Sequence, residues 1–266
     1  MLEIEFVERT DVGKVRDHNE DFLGYSAPPT PAHARSHGWL FALADGVGGG
    51  EKGEVASRTA VESLVTGFAS APAGELHSSL IPKLIQEANT KVFETAVAGG
   101  RSYAGMATTL VACALRFDRA VVAHVGDSRC YLIRKEQSAQ LTRDHTVSSE
   151  QVRMGIVTAK EAGESETRHI LSRCLGNELI VNPDINDHQL FPGDVLILCS
   201  DGLHGSVTGS EMAALCSHGM DLLAAAEKMV ALANDRDGGD NVSVQIIRIR
   251  DVERMGMYRG RPYKLY

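Results

Sequence analysis

Two long stretches of helical spacing follow one another with no strand between them. EVASRTAVESLVTGFA (54–69) sets Val55, Val61, Leu64, Val65 and Phe68 at helical intervals, and a second helix is expected over most of 76–98. SAPAGE (70–75) separates the two, and Pro82 is expected in the first turns of the second helix or at a kink. A strand–helix–strand repeat cannot be drawn through such a pair, so a doubly wound parallel sheet is excluded. From Met106 the pattern changes to closely spaced apolar runs: TTLVACALR, AVVAHVG and RCYLIR predict three successive strands. VLILCS (195–200) and NVSVQIIRIR (241–250) predict two more, WLFALAD (39–45) predicts a buried strand, and Leu2, Ile4 and Phe6 alternate as in a half-buried one. Helices are expected over 209–217 and 221–234, and short helices at most within the polar segment 147–182, read as a flap. The basic, Tyr-rich end MGMYRGRPYKLY reads as a poorly ordered tail. The expected class is α+β, an antiparallel sheet with helices on its faces.

The 266 residues suffice for one large domain or two small ones, and 43% hydrophobic with 23% charged residues excludes a disordered chain. Lys+Arg number 27 against 35 Asp+Glu, a net charge of −8, which argues against nucleic acid or an anionic membrane as the main partner. The five cysteines (113, 130, 174, 199, 216) form no CxxC pair and read as small core residues of a reducing compartment. No uninterrupted apolar run reaches 18 residues, and the acidic, alternating start reads as a strand rather than a signal peptide. A cytoplasmic monomer is expected.

Four aspartates share one setting. Asp45 and Asp201 each end an apolar strand and precede glycine; Asp127 follows AVVAHVG; Asp240 stands in DGGDN before the last strand. Singly, each reads as an ordinary turn aspartate. Together they are carboxylates at the ends of buried strands, where they repel and need cations to offset desolvation. All-oxygen ligation suits Mg²⁺ or Mn²⁺ and disfavours zinc. Arg16, in VRDHNED (15–21), reads either as part of a solvated charge cluster or as an anion-binding guanidinium beside that site. Gly48, Gly50 and Gly53 satisfy GxGxxG, but the strand–helix–strand unit a dinucleotide needs is missing, and Glu51 stands where a P-loop requires glycine. His18, His124 and His145 show no ligand spacing and read as structural or surface histidines; no GxSxG surrounds Ser200.

The segments VGKVRDHNEDF, FALADGVGGGEKGEVAS, GMATTLVACAL, VAHVGDSRCYLI, LTRDHT, LILCSDGL and GGDNVSVQII occur in this order from about Thr10 to Ile249. The series resembles the metal-dependent serine/threonine protein phosphatases of type 2C in their single-domain bacterial form. The resemblance implies a central β-sandwich of two antiparallel sheets flanked by helices, in a catalytic domain over 1–252 with a flap at 147–182 and a basic tail at 253–266. It implies two core Mn²⁺ or Mg²⁺ ions and a third. Asp45 would bridge the core pair, the Gly46 carbonyl would bind one ion, Asp201 and Asp240 would complete the other's shell, and Glu20 would act through water. Asp127 would hold the third ion, Arg16 the substrate phosphate, and Asp21 and Asn241 would orient these groups.

The implied reaction is hydrolysis of phosphoserine or phosphothreonine in proteins, a hydroxide bridging the ions attacking phosphorus directly without a phosphoenzyme. The implied counterpart is a Hanks-type kinase and its substrates. The chain departs from the family at Val47, where some members carry a proposed general-acid histidine, and in a flap lacking the common His-Pro. The competing readings are a pseudophosphatase that keeps the fold to bind partners, and a regulatory phosphatase of anti-anti-sigma proteins. The full set Asp45, Asp127, Asp201, Asp240 and Arg16 argues against the first, and the complete GDSR and flap segments against the second.

Overall fold

A computed structural model describes residues 1–47, 51–103, 105–216, 220–258 and 261–264. The chain runs β1 (Glu3–Asp11), β2 (Asp21–Ser26), α1 (Pro31–Ser36), β3 (Trp39–Val47), α2 (Glu51–Ala69), α3 (His77–Ala98), β4 (Ala107–Thr108), β5 (Leu110–Arg116), β6 (Arg119–Val125), β7 (Arg129–Arg134) and β8 (Gln137–Gln140). It continues through α4 (Val147–Arg153), α5 (Ala159–Glu164), β9 (Asp184–Gln189), β10 (Val195–Cys199), α6 (Asp201–His204), α7 (Gly209–Leu215), α8 (Leu222–Arg236) and β11 (Val242–Asp251). One sheet has the order β1-β11-β10-β7-β8, the other β2-β3-β5-β6-β9 with β4 beside β3, and every pairing is antiparallel.

The period-2 alternation of the strands sorts the core into three layers. Phe41, Leu43, Val111, Cys113 and Leu115 face Cys130, Leu132, Leu196, Leu198, Ile247 and Ile249 between the sheets. The intervening residues Leu40, Ala42, Ala44, Leu110 and Ala112 turn outward onto Val61, Leu64 and Phe68 of α2 and Ile81, Ile85 and Val92 of α3. On the other sheet Ile197, Cys199, Val244 and Ile246 pack on Leu203, Met212, Ala225 and Met229 of α6–α8. This is the expected α+β sandwich, and α3 runs unbroken through Pro82.

The polar strands β8 (QSAQ) and β9 (DINDHQ) carry no apolar alternation, yet each closes one edge of a sheet. Edge strands are held by the backbone ladder and stay polar, which guards against pairing with other chains. The segment between them carries α4, α5 and a 3₁₀ turn at Glu166–His169, as expected for the flap. Where the sequence predicts a poorly ordered tail, Met255–Tyr258 (β12) and Arg261–Lys264 (β13) pair as an antiparallel ribbon outside both sheets. The pairing runs from Met255 opposite Lys264 to Tyr258 opposite Arg261, backbone order that apolar periodicity does not announce. Gly48 and Gly50 of the GxGxxG reading lie outside the described residues.

Candidate active site

The site forms where β3, β6, β10 and the loop before β11 end together. At the end of β3, the Asp45 N–H donates to Thr109 Oγ1 (2.9 Å) and its carbonyl accepts from Thr109 N–H (2.9 Å) and Thr108 Oγ–H (2.8 Å). Both backbone groups are thereby satisfied, and the aspartate side chain is left to the site. Gly46 N–H donates to the Glu20 carbonyl (3.1 Å), which also accepts from Ser57 Oγ–H (2.6 Å). A Cβ on Gly46 would lie 2.2 Å from the Gly53 carbonyl oxygen, and one on Gly53 would lie 2.8 Å from Glu20 Cδ. These glycines serve close packing of α2 against β3 and Glu20, which gives Gly53 a packing role in place of a nucleotide fingerprint.

Asp21 opens β2 directly opposite Asp45 in the strand register. Its Oδ2 accepts from Ser200 Oγ–H (2.8 Å), and Ser200 Oγ accepts from Ser243 N–H (3.0 Å). Asn241 is 5% exposed and ties the preceding loop: its Oδ1 accepts from Glu20 N–H (2.8 Å), and its Nδ2 donates to the carbonyls of Val12 (2.8 Å) and His18 (3.0 Å). That loop carries Arg16, whose Nη2 donates to Asp240 Oδ2 (3.0 Å) while the guanidinium stays half-exposed. Gly202 packs so closely under Asn241 that a Cβ would meet its carbonyl at 2.1 Å. Asp21, Asn241 and Glu20 are thus brought together with Arg16 and Asp240, while His18 is exposed at the surface.

The carboxylates destabilise one another's charge. Burial, then the charges of Asp21, Asp201, Asp127 and Asp240, push the Asp45 carboxyl well above its usual range. Burial pushes Asp21 up to about 7 and Asp127 up to about 7, with the charge of Asp201 adding to both. Asp201 is raised by burial and by Asp240. Among the described residues, Asp201 Oδ1 and Asp21 Oδ1 are buried and meet no hydrogen-bond partner. Such oxygens fit a divalent cation, whose charge reverses this repulsion and whose ligand sites they fill. The buried, mutually repelling carboxylates of Asp21, Asp45, Asp127 and Asp201 therefore suit an oxygen-liganded divalent cation such as Mn²⁺ or Mg²⁺.

Among the described residues, one group of three side chains has its ligand atoms mutually within 4.8 Å: His124, His145 and Asp184. Hydrogen bonding argues against a cation there. His145 Nδ1 accepts from Gly126 N–H (3.1 Å), so Nε2 carries the ring proton and faces Asp184 Oδ2 (3.4 Å). Asp184 is already paired with Arg173 (2.9 Å) and Arg143 (3.5 Å). Burial holds His145 neutral, its pKa pushed down to about 4, and the stacked His124 beside it is lowered too. These histidines are structural, as their lack of ligand spacing suggests.

Sequence reasoning misses several supports. Thr108, Thr109, Ser128, Ser200 and Ser243 hold the strand ends by hydrogen bonds; adjacency to Asp127 and Asp201 signals Ser128 and Ser200, and nothing in the sequence signals the other three. Arg129 of GDSR grips Asp144 through two bonds (2.9 and 2.6 Å), a pairing that joins LTRDHT to the Asp127 loop. His169, at the end of the flap's 3₁₀ turn, lies near enough to Asp201 to favour its ionised form.

The profile of the family described as protein phosphatase 2C matches residues 16–235. The serine/threonine phosphatase Stp of Listeria innocua is 34% identical over 256 residues, which cover 95% of this chain and 97% of Stp. The S. agalactiae serine/threonine phosphatase superposes with a TM-score of 0.85 at 31% identity, over 93% of this chain and all (100%) of its own. The catalytic domain of the phosphatase PstP, in complex with two manganese ions, superposes with a TM-score of 0.79 at 32% identity, over 94% of this chain and 100% of its own. With the match running nearly end to end and the aspartates converging at the strand ends, the chain belongs to the protein phosphatase 2C family and is a serine/threonine protein phosphatase.

Proposed function

We propose that the chain hydrolyses phosphoserine and phosphothreonine in proteins in a reaction that depends on Mn²⁺ or Mg²⁺, opposing a bacterial serine/threonine kinase. The observation that carries this is a set of carboxylates raised by burial and then by one another's charges, with Arg16 paired to Asp240 beside them. Asp45, Asp201, Asp240 and the Gly46 carbonyl would hold two core ions, Glu20 through water, and Asp127 a third. The chemistry such ions supply when bound is a water acidic enough to act as nucleophile at neutral pH.

The chain's own residues bind and orient. Arg16 offers its exposed fork to the substrate phosphate, trading one carboxylate oxygen for two phosphate oxygens. Asp21 and Asn241 hold β2 and the Arg16 loop in register with Asp45 and Asp240. The thiols take no part: burial raises the Cys199 pKa to about 12, and Cys174, the least buried, to about 11. Excess EDTA is expected to abolish release of phosphate from a phosphothreonine peptide, with Mn²⁺ or Mg²⁺ restoring it better than Zn²⁺. Full activity in chelator would remove the metal from this reading.

A further inference from the structure

Asp127 follows a backbone position that admits only glycine. Gly126 before it has φ +104°, and a Cβ there would meet Thr109 at 2.6 Å. The Asp127 side chain is 7% exposed and is repelled by Asp201 and Asp144. That repulsion opposes holding the Asp127 and Asp201 carboxylates close together.

Two histidines hold it. His204 Nε2 lies 3.0 Å from the Asp127 carbonyl oxygen. A carbonyl only accepts, so this nitrogen carries the proton and donates. His204 is the last residue of α6, and Asp201 is the first, so one short helix carries an aspartate at one end and the tether of its repelling partner at the other. On the far side, His145 brackets Gly126: its backbone N–H donates to the Gly126 carbonyl (2.9 Å), and its Nδ1 accepts from Gly126 N–H (3.1 Å). His145 also accepts at its carbonyl from Ser172 N–H (2.8 Å), which ties the flap's end to the same loop.

We propose that His204 is a positioning residue that keeps Asp127 within reach of Asp201 for a shared cation, with His145 bracing the loop from the flap side. The proposal rests on Asp127 being a cation ligand. Groups that orient a metal ligand typically contribute about 10- to 100-fold to metal affinity.

The test is a Mn²⁺ titration followed by electron paramagnetic resonance, which counts free ions without turnover, on wild type, His204→Phe, His204→Gln and Asp127→Asn. Asp127→Asn is expected to lose the weakest ion. His204→Phe should weaken that ion about 10-fold and leave the two tighter ones unchanged. His204→Gln, which keeps an N–H donor at similar reach, should return the isotherm to that of wild type. Should the phenyl ring prevent folding, His204→Ala makes the same cut with space to spare. A wild-type isotherm in His204→Phe or His204→Ala, alongside a lost ion in Asp127→Asn, overturns the tether alone. A wild-type isotherm in Asp127→Asn overturns the ligand assignment beneath it, and the tether with it.

Discussion

Burial, then the charge of Asp240, disfavours the ionised Asp201 carboxylate. In chelator that repulsion opposes folding. Asp201→Asn keeps the shape and removes one charge, so the metal-free variant should be more stable than wild type by roughly 1–2 kcal/mol. At about 2–4 °C per kcal/mol for a chain of this size, its Tm in EDTA should rise by a few degrees while activity is lost. Scanning calorimetry checks this, and a lower Tm than wild type would show that Asp201 stabilises the metal-free fold. Arg16 is the opposite case, an exposed cation held by one carboxylate oxygen (3.0 Å). Charge-assisted bonds are worth roughly 1.5–3 kcal/mol each, less in an open site, so Arg16→Ala should cost about 2–3 kcal/mol of transition-state stabilisation. That is a fall of roughly 30- to 150-fold in kcat/KM, with Mn²⁺ affinity held because Arg16 competes with cations for Asp240. Lysine should rescue only in part, since it lacks the fork. Unchanged kcat/KM on a phosphothreonine peptide, or a loss that tracks weaker Mn²⁺ binding, would take the phosphate from Arg16.

At the scale of elements, the contact that places the site is that of β3 with the start of α2. Gly46 and Gly53 let the two backbones meet, and the obstacle to a Cβ on Gly46 is the Gly53 carbonyl at 2.2 Å, which cannot swing aside as a side chain could. Gly46→Ala therefore has to push α2 away from Ala42, Ala44 and Leu40. Overpacking of this kind costs about 1–3 kcal/mol, and the shift also moves the Gly46 carbonyl out of the site. We expect a lower urea midpoint together with a loss of activity greater than about 10-fold. A wild-type midpoint would mean that α2 has slack at this contact. Helical spacing announced α2 and α3 because each buries an apolar stripe. The polar edges β8 and β9 went unread because their order comes from backbone pairing with β7 and β6, to which their side chains add little burial.

Over the whole molecule, two sets of titrating groups oppose each other. Buried His77, whose Nε2 donates to the His37 carbonyl (2.6 Å), has its pKa lowered to about 4 by burial and by Arg116. Between its usual 6.5 and that value the unfolded chain binds the extra proton, so stability falls as pH drops through this window, by about 3 kcal/mol for this one group. Asp21 and Asp127 run the other way. Raised from 3.8 to about 7, they bind protons in the folded, metal-free state, so stability rises as pH falls from about 7 toward 4. The two trends offset in chelator. With Mn²⁺ the carboxylates stay ionised and the histidine loss stands uncovered. The drop in Tm between pH 7 and pH 5 should therefore be steeper with Mn²⁺ than with EDTA. Parallel profiles would show that the carboxylates are not what the cation relieves.

The sequence by itself determined the elements that bury apolar stripes, the exclusion of a parallel doubly wound sheet, and which residue types stand at the strand ends. Each of these is local: a period of 2 or 3.6 and an Asp-Gly at a boundary are written within a dozen or so residues. Tertiary structure alone decided that Asp45, Asp127, Asp201 and Asp240 repel one another, because chain positions so far apart meet only when both sheets and their helices have packed. It also decided that His145 and His204, which show no ligand spacing, grip the loop of Asp127. A hydrogen bond to a backbone carbonyl leaves no mark on the partner's side chain, so no residue pattern could have announced it.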